Sequence, residues 1–186
     1  PSLVRVAHLG PGVKPRPGEV RRPKHPDAPL RLLFVASDWG RKGGDLAVSA
    51  VDELRRRGHD VLLTVVGDAV PSLPEHVVRA GRLDREQMSS AYLTHDVLLE
   101  PSRASAGGVV VTDALHHGLP VLATATGGLT DLVVDGRSGW LIADDGTPEP
   151  FISAVEERVL IEDLESFSDD AARWAADNAE WSGWAR

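Results

Sequence analysis

A lysine in a glycine-bearing loop is the residue best placed to do chemistry. Lys42 lies in the segment 37–44, which follows a short apolar run and precedes a helical pattern. Loops at the carboxyl ends of parallel strands are the usual ligand-binding positions of α/β proteins. A compact ammonium group in such a loop can neutralise a pyrophosphate. We therefore predict that Lys42 binds phosphate, the alternative being a solvated surface lysine.

A second candidate is the start of a helix further along the chain. Gly107 and Gly108 follow a strand-like run and open a helical segment that stops at Gly118. The first turn of a helix exposes free N–H groups and a positive dipole end, both of which suit phosphate. The amides around Gly108, Val109 and Val110 are thus predicted to bind phosphate oxygens, unless the glycines only make a tight turn.

The elements that would position these residues follow from the hydrophobic pattern. Short apolar runs are typical of strands buried on both faces, and they occur at 32–36, 61–66, 77–81, 97–100, 121–123 and 139–143. Helical patterns lie between them and after them, at 45–57, 85–94, 108–118, 129–134, 147–165 and 168–178. We predict that Asp84 caps the second helix, and that Thr147 with Pro148 starts the fifth. This alternation predicts an α/β fold, a Rossmann-like parallel sheet with helices on both faces.

Composition excludes several functional classes. The chain has 186 residues, a formal net charge of −8 and no cysteine. An acidic chain is poorly suited to bind nucleic acid, and without cysteine there is no disulfide and no thiolate metal site. The seven histidines show no ligand spacing. No apolar run approaches the length of a transmembrane segment. We therefore predict no nucleic-acid partner, no metal and no membrane span.

The segment 97–129 resembles the donor-binding segment of retaining glycosyltransferases with the GT-B fold, the large family-four group (glycosyl transferases group one). The residues that match the family pattern are Pro101, Ser102, Gly108, Gly118-Leu119-Pro120-Val121 and Gly127-Gly128. The family also has two glutamates in this segment. Their positions hold Ser105 and Asp113 in this chain.

The resemblance implies roles for the loop residues. Lys42 corresponds to the family's phosphate-binding lysine. The family's arginine, five positions earlier, is replaced by Ser37, and Arg41 is a candidate to supply the missing charge. Gly127 and Gly128 correspond to the loop that faces the donor.

The two replaced glutamates bear on binding and on catalysis. Asp113 takes the place of the glutamate that binds the ribose hydroxyls, and an aspartate can accept the same hydrogen bonds. The alternative is an exposed helix aspartate. Ser105 takes the place of the glutamate that stabilises charge near the anomeric carbon. A serine hydroxyl has no negative charge to do so, so the alternative of an ordinary loop serine is favoured.

The resemblance also implies a domain organisation. Residues 1–30 would be an interdomain linker with a proline-rich loop, and residues 31–186 the nucleotide-sugar-binding domain. Because the chain begins at Pro1, we expect a fragment that lacks the N-terminal, acceptor-binding domain. Trp181 and Trp184 are expected to pack against the domain, with some aromatic surface exposed.

The expected function is transfer of a sugar from a UDP- or GDP-linked donor to an acceptor with retention, without a metal or cofactor. We expect the isolated fragment to be inactive. A cytoplasmic location is expected, and a peripheral position of the full-length protein at a membrane stays open. The alternative is a non-catalytic relative that serves as a binding or regulatory module. A receiver-type domain is disfavoured, because it needs a cluster of acidic residues at strand ends and only Asp38 and Asp68 are candidates for one.

Overall fold

A six-stranded parallel sheet forms the centre of the domain. The computed structural model describes residues 10–19, 21, 28–106 and 108–181; the predictions for residues 1–9, Gly107 and Trp184 fall outside these ranges. The strand order is β3-β2-β1-β4-β5-β6. The strands are β1 Leu30–Val35, β2 Val61–Val66, β3 Val77–Gly81, β4 Val97–Glu100, β5 Val121–Thr124 and β6 Gly139–Ile142. All the predicted strands are confirmed, with ends shifted by at most two residues.

Helices cover both faces of the sheet. They are α1 Gly44–Arg56, α2 Arg85–Thr94, α3 Val109–His116, α4 Leu129–Leu132, α5 Glu149–Ala154 and α6 Leu164–Asn178. One buried cluster joins α1 and α5 to the first face, and includes Phe34 and Leu54. A second joins α2, α3, α4 and α6 to the other face, and includes Leu98 and Leu115. The predicted fold class is therefore confirmed.

Local signals explain where the first helices begin and end. Leu46, Ala50 and Leu54 recur at the spacing of one helix face, and all three are buried. The carboxylate of Asp84 accepts a hydrogen bond from the Gln87 amide, and the Gln87 side chain accepts one from the Asp84 amide. This reciprocal capping box fixes the start of α2, as predicted.

The prediction for the fifth helix is wrong in both the length and the first residue of the helix. It begins at Glu149, no side chain caps it, and the Thr147 hydroxyl is instead bonded to Asp145. After a π-helical turn at Val155–Val159, the helix stops well before residue 165. The reason is a new helix start, since the Asp163 carboxylate accepts a hydrogen bond from the Glu165 amide at 3.0 Å and caps α6. The last helix thus begins at Leu164 rather than at residue 168.

The strand order places a ligand position between β1 and β4. The chain winds outward from β1 through β2 to β3, then returns to the other side of β1 to form β4. The connections leaving these two neighbouring strands therefore diverge at their carboxyl ends. In open α/β sheets, ligands bind in the crevice that this reversal creates. Ser37 follows β1 and Pro101 follows β4, so both predicted phosphate loops border this crevice.

Candidate functional site

A cleft of about 600 Å³ lies at this reversal point. Its walls come from the loop after β1, the loop after β4 and the first turn of α3, and the described residues that line it are Ser37, Arg41, Lys42, Ala104, Ser105, Ala106, Gly108, Val109 and Val110. Six of the predicted site residues are therefore together here: Lys42, Arg41, Ser105, Gly108, Val109 and Val110. Asp113, Gly127 and Gly128 are not among the lining residues.

Lys42 is not a solvated surface lysine. Only 6% of the residue is exposed, and its Nζ lies 2.5 Å from Oε1 of Glu100, the last residue of β4. The same oxygen accepts a very short hydrogen bond from the Ser102 hydroxyl. The carbonyl of Ser102 in turn accepts a bond from Thr124 Oγ1 at 2.5 Å. The ammonium group is thus held at a fixed place by a buried polar network.

Two arginines tie the loops of the cleft together. Arg41 Nη1 donates to the carbonyl of Ala104 at 3.0 Å, and its Nε lies 3.4 Å from a carboxylate oxygen of Asp38. Arg103 crosses in the opposite direction, with Nη1 donating to the carbonyl of Gly40 and with both terminal nitrogens on the carboxylate of Asp45. The guanidinium of Arg41 is therefore already engaged, although its side chain is 43% exposed at the edge of the cleft.

Gly127 and Gly128 lie beneath the loop that carries Ser105. The amide of Gly128 donates to the Ser105 carbonyl at 3.2 Å. Gly127 has φ +50°, and a Cβ on it would lie 2.1 Å from the same carbonyl oxygen. A Cβ on Gly128 would lie 2.7 Å from the carbonyl oxygen of Ala106. The pair therefore lets two backbone segments approach closely, which only glycine permits.

Asp113 is not part of the cleft lining, and its carboxylate faces the segment at Gly12 and Val13. It is 5% exposed, so the alternative of an exposed helix aspartate is wrong. Its Oδ1 accepts hydrogen bonds from the amides of Gly12 at 2.6 Å and Val13 at 3.0 Å. Asp113 thus attaches the segment at Gly12 and Val13 to α3. The role in ribose binding stays a prediction.

Asp113 should make the stability of the domain depend on pH. Burial is the main cause that raises its pKa from 3.8 to about 6, although the two amides and Arg85 oppose this shift. At a pH between these two pKa values, the folded chain binds more protons than the unfolded chain. The stabilising contribution is therefore complete below the unfolded pKa and is lost as the pH rises through the folded pKa.

An Asp113→Asn variant tests this assignment, because asparagine keeps an oxygen for the two amides and does not ionise. Between pH 4 and pH 7 we expect the wild-type chain to lose about 2 kcal/mol of unfolding free energy relative to the variant. Urea denaturation of both proteins at the two pH values measures the difference. Parallel pH profiles would show that the carboxyl of Asp113 does not titrate in this range.

The neighbouring histidines are structural. His117 Nδ1 contacts the carbonyl of Asp113 at 2.6 Å and its Nε2 contacts the Ser89 hydroxyl at 2.9 Å. His116 Nε2 contacts the carbonyl of Ala179 at 3.1 Å. Burial lowers the pKa of both rings below 6.5. Each ring contacts one backbone carbonyl group, His117 that of Asp113 within α3 and His116 that of Ala179 at the end of α6.

Glu100 is the site residue that the sequence pattern did not reveal. It ends an otherwise apolar strand, and it is completely buried. An acidic residue within a buried run needs a buried partner, since an unpaired charge there is very costly. That signal is present in the sequence. It does not identify Lys42 as the partner, which lies 58 positions earlier.

The first and the last described segments of the chain meet near α3. Trp181 Nε1 donates to the carbonyl of Pro11 at 2.9 Å, and Lys14 Nζ lies 2.6 Å from Glu180. Trp181 is half exposed, as expected of an aromatic residue that packs only partly against the domain. No helix in the described ranges is long and apolar enough to cross a membrane. Within the same ranges no three histidine or acidic residues form a group that could hold a metal ion, and metal-independence stays a prediction.

Comparison with known proteins identifies the family. Residues 29–160 match the family model described as "Glycosyl transferases group 1". This match covers more than half of the chain, and the chain belongs to that family. The fold is the Rossmann-like half of the GT-B glycosyltransferases, as the sequence predicted.

Individual relatives agree with this assignment. The chain is 31% identical over 161 residues to the lipopolysaccharide glucosyltransferase WaaG of Escherichia coli, covering 80% of this chain and 42% of that protein. It is 30% identical over 162 residues to a GDP-mannose-dependent phosphatidylinositol monomannoside mannosyltransferase of Mycolicibacterium smegmatis, covering 76% and 42%. The chain therefore spans about two fifths of the length of these relatives.

A solved structure supports the fold. Anabaena HepE in complex with UDP and glucose superimposes with a TM-score of 0.69 at 19% identity, covering 83% of this chain and 45% of that one. At this level of identity the likeness concerns the fold alone.

Proposed function

We propose that this chain is the donor-binding domain of a glycosyltransferase that moves a sugar from a nucleoside diphosphate sugar to an acceptor with retention. The observation that carries the proposal is the cleft between β1 and β4, which brings the Lys42 loop and the first turn of α3 to one place. Both are features that bind phosphate, and the family of the chain uses activated sugar donors. The acceptor site would belong to a further domain of the full-length protein.

The geometry supports a division of tasks among the residues. The ammonium of Lys42, which Glu100 positions, would contact the diphosphate from one wall. The amides at Val109 and Val110 would contact it from the opposite wall, where the helix dipole favours negative charge. Stabilisation of the departing diphosphate is the main electrostatic demand of the reaction. The loop at Ser105, which Gly127 and Gly128 support, would face the sugar.

Calorimetric titration of the chain with UDP and with GDP tests this function. We expect one of the two nucleotides to bind with a dissociation constant below 1 mM, equivalent to roughly −4 kcal/mol or better. The matched comparison is between Glu100→Met and the double variant Lys42→Met with Glu100→Met, which differ only in the Lys42 ammonium. Loss of a charge-assisted hydrogen bond predicts about tenfold weaker binding by the double variant than by Glu100→Met.

The binding result decides the proposal. If neither nucleotide binds at millimolar concentration, the cleft is not a donor site. Equal affinity of Glu100→Met and the double variant would place the diphosphate somewhere other than at Lys42.

A second function has one observation in its favour. Among the described residues that line the cleft none is acidic, and Ser105 stands where the family has a glutamate. A non-catalytic module that still binds nucleotide would have this arrangement. Release of nucleoside diphosphate from a nucleotide sugar by the full-length protein, with acceptor present, separates the two. Turnover supports the enzyme, and binding without turnover supports the module.

A further inference from the structure

Glu100 places a full negative charge directly behind the proposed phosphate site. It is completely buried, and its Oε1 contacts Lys42 Nζ and the Ser102 hydroxyl. Its Oε2 is buried too and has no hydrogen-bond partner among the described residues. A lysine that only had to bind phosphate would not need a buried carboxylate. The position of Glu100 at the carboxyl end of β4 therefore has an electrostatic consequence for any anion in the cleft.

The consequence is a cleft with less positive charge than its residues suggest. Glu100 neutralises Lys42 before any ligand arrives. Arg41, the other cation that lines the cleft, is engaged by the carboxylate of Asp38 and the carbonyl of Ala104. A phosphate oxygen in contact with Lys42 Nζ would lie on the order of 5 Å from the Glu100 carboxylate, that is, two hydrogen-bond lengths. At that distance in a partly buried site, each added unit of ligand charge is opposed strongly.

Donor and product differ in the charge that their terminal phosphate carries. At neutral pH the terminal phosphate of a free nucleoside diphosphate carries nearly two negative charges, because its second pKa is about 6. The same phosphate esterified to a sugar carries one. We propose that Glu100 is a specificity-determining residue that weakens binding of the free nucleoside diphosphate relative to the nucleotide sugar, and so favours product release. This inference rests on the proposed donor site and adds to it a preference for the donor over the product.

Glu100→Gln tests the inference, since glutamine keeps the shape of the side chain and an oxygen for Lys42 and removes the charge. The affinities to be measured by calorimetry are those of UDP and UDP-glucose, with GDP and GDP-mannose in parallel. We expect the ratio of diphosphate to nucleotide-sugar affinity to rise about tenfold in the variant. Glu75→Gln removes an equal charge just before β3. Glu75 lies at the amino ends of the parallel strands, away from the cleft at their carboxyl ends, so this variant should leave the ratio unchanged.

The outcomes separate the inference from the proposed function. Equal shifts of both ligands in Glu100→Gln would make Glu100 a structural residue only and overturn the inference, while the donor site stands. If none of the four ligands binds the wild-type chain, the proposed function fails and the inference fails with it.

A second measurement needs no variant. The inference requires that the wild-type chain binds UDP no more than about threefold tighter than UDP-glucose, and GDP no more than about threefold tighter than GDP-mannose. A preference for the diphosphate above about threefold would overturn it.

Discussion

Replacing Lys42 with alanine is expected to lower the free energy of unfolding by about 3–5 kcal/mol, because it leaves Glu100 as an unpaired charge in the protein interior. The carboxylate is completely buried and the lysine side chain is 8% exposed. Domains of this size are stable by only about 5–15 kcal/mol, so the loss is a large part of the total. Guanidinium denaturation monitored by circular dichroism measures it.

The double variant Lys42→Met with Glu100→Met is the control. Removing both charges exchanges a buried ion pair for apolar side chains of similar length, a change that is often close to neutral. We expect the double variant to lie within about 2 kcal/mol of the wild-type chain, the remaining cost being the unpaired hydroxyl of Ser102. If Lys42→Ala is no less stable than the double variant, the pair does not contribute to stability as the geometry indicates.

This comparison also affects how nucleotide binding is measured. A Lys42→Ala variant that fails to bind UDP or GDP would be ambiguous, because partial unfolding and loss of a phosphate ligand give the same result. The double variant separates the two effects, since it is expected to remain folded.

Gly43→Ala is expected to destabilise the domain by about 2–5 kcal/mol. Gly43 has φ +71° and a Cβ on it would lie 2.0 Å from the carbonyl oxygen of Pro101. The left-handed conformation alone costs an L-residue about 1–2 kcal/mol, and the overlap with a rigid backbone atom adds about 1–3 kcal/mol. Urea denaturation measures the loss. Because Gly43 follows Lys42 and Pro101 follows Glu100, we expect nucleotide binding to weaken as well.

Gly58→Ala provides the matched control for backbone strain. Gly58 also has a positive φ, +94°, but a Cβ there would meet nothing within 4 Å. We expect a loss of about 1–2 kcal/mol and unchanged nucleotide affinity, because Gly58 lies at the far end of α1. Equal destabilisation by the two substitutions would contradict the close approach of the two loops.

Much of the fold was predictable because its signals are local. Apolar runs of three to six residues marked the strands, and glycines or capping side chains marked most helix ends. The boundary between α5 and α6 was missed because the cap of α6 lies within an acidic stretch. Asp163 starts a new helix, whereas the acidic residues around it read as a continuous helical surface.

The contacts of the site were harder to predict because they join distant parts of the chain. The pairs of Lys42 with Glu100 and of Asp113 with Gly12 span 58 and 101 positions. No local pattern encodes such a pair. A resemblance assigns a role to each residue separately, so it placed Asp113 among the donor ligands without indicating that the backbone of a preceding segment is bound to its carboxylate.

The convergence of Lys42 and the first turn of α3 on one diphosphate is the central claim, and a crystal structure of the chain with UDP or GDP tests it most directly. We predict phosphate oxygens within about 3 Å of both Lys42 Nζ and the Val109 amide, with the contact between Lys42 and Glu100 retained. A diphosphate bound to only one of these groups, or bound outside the cleft between β1 and β4, would contradict the claim.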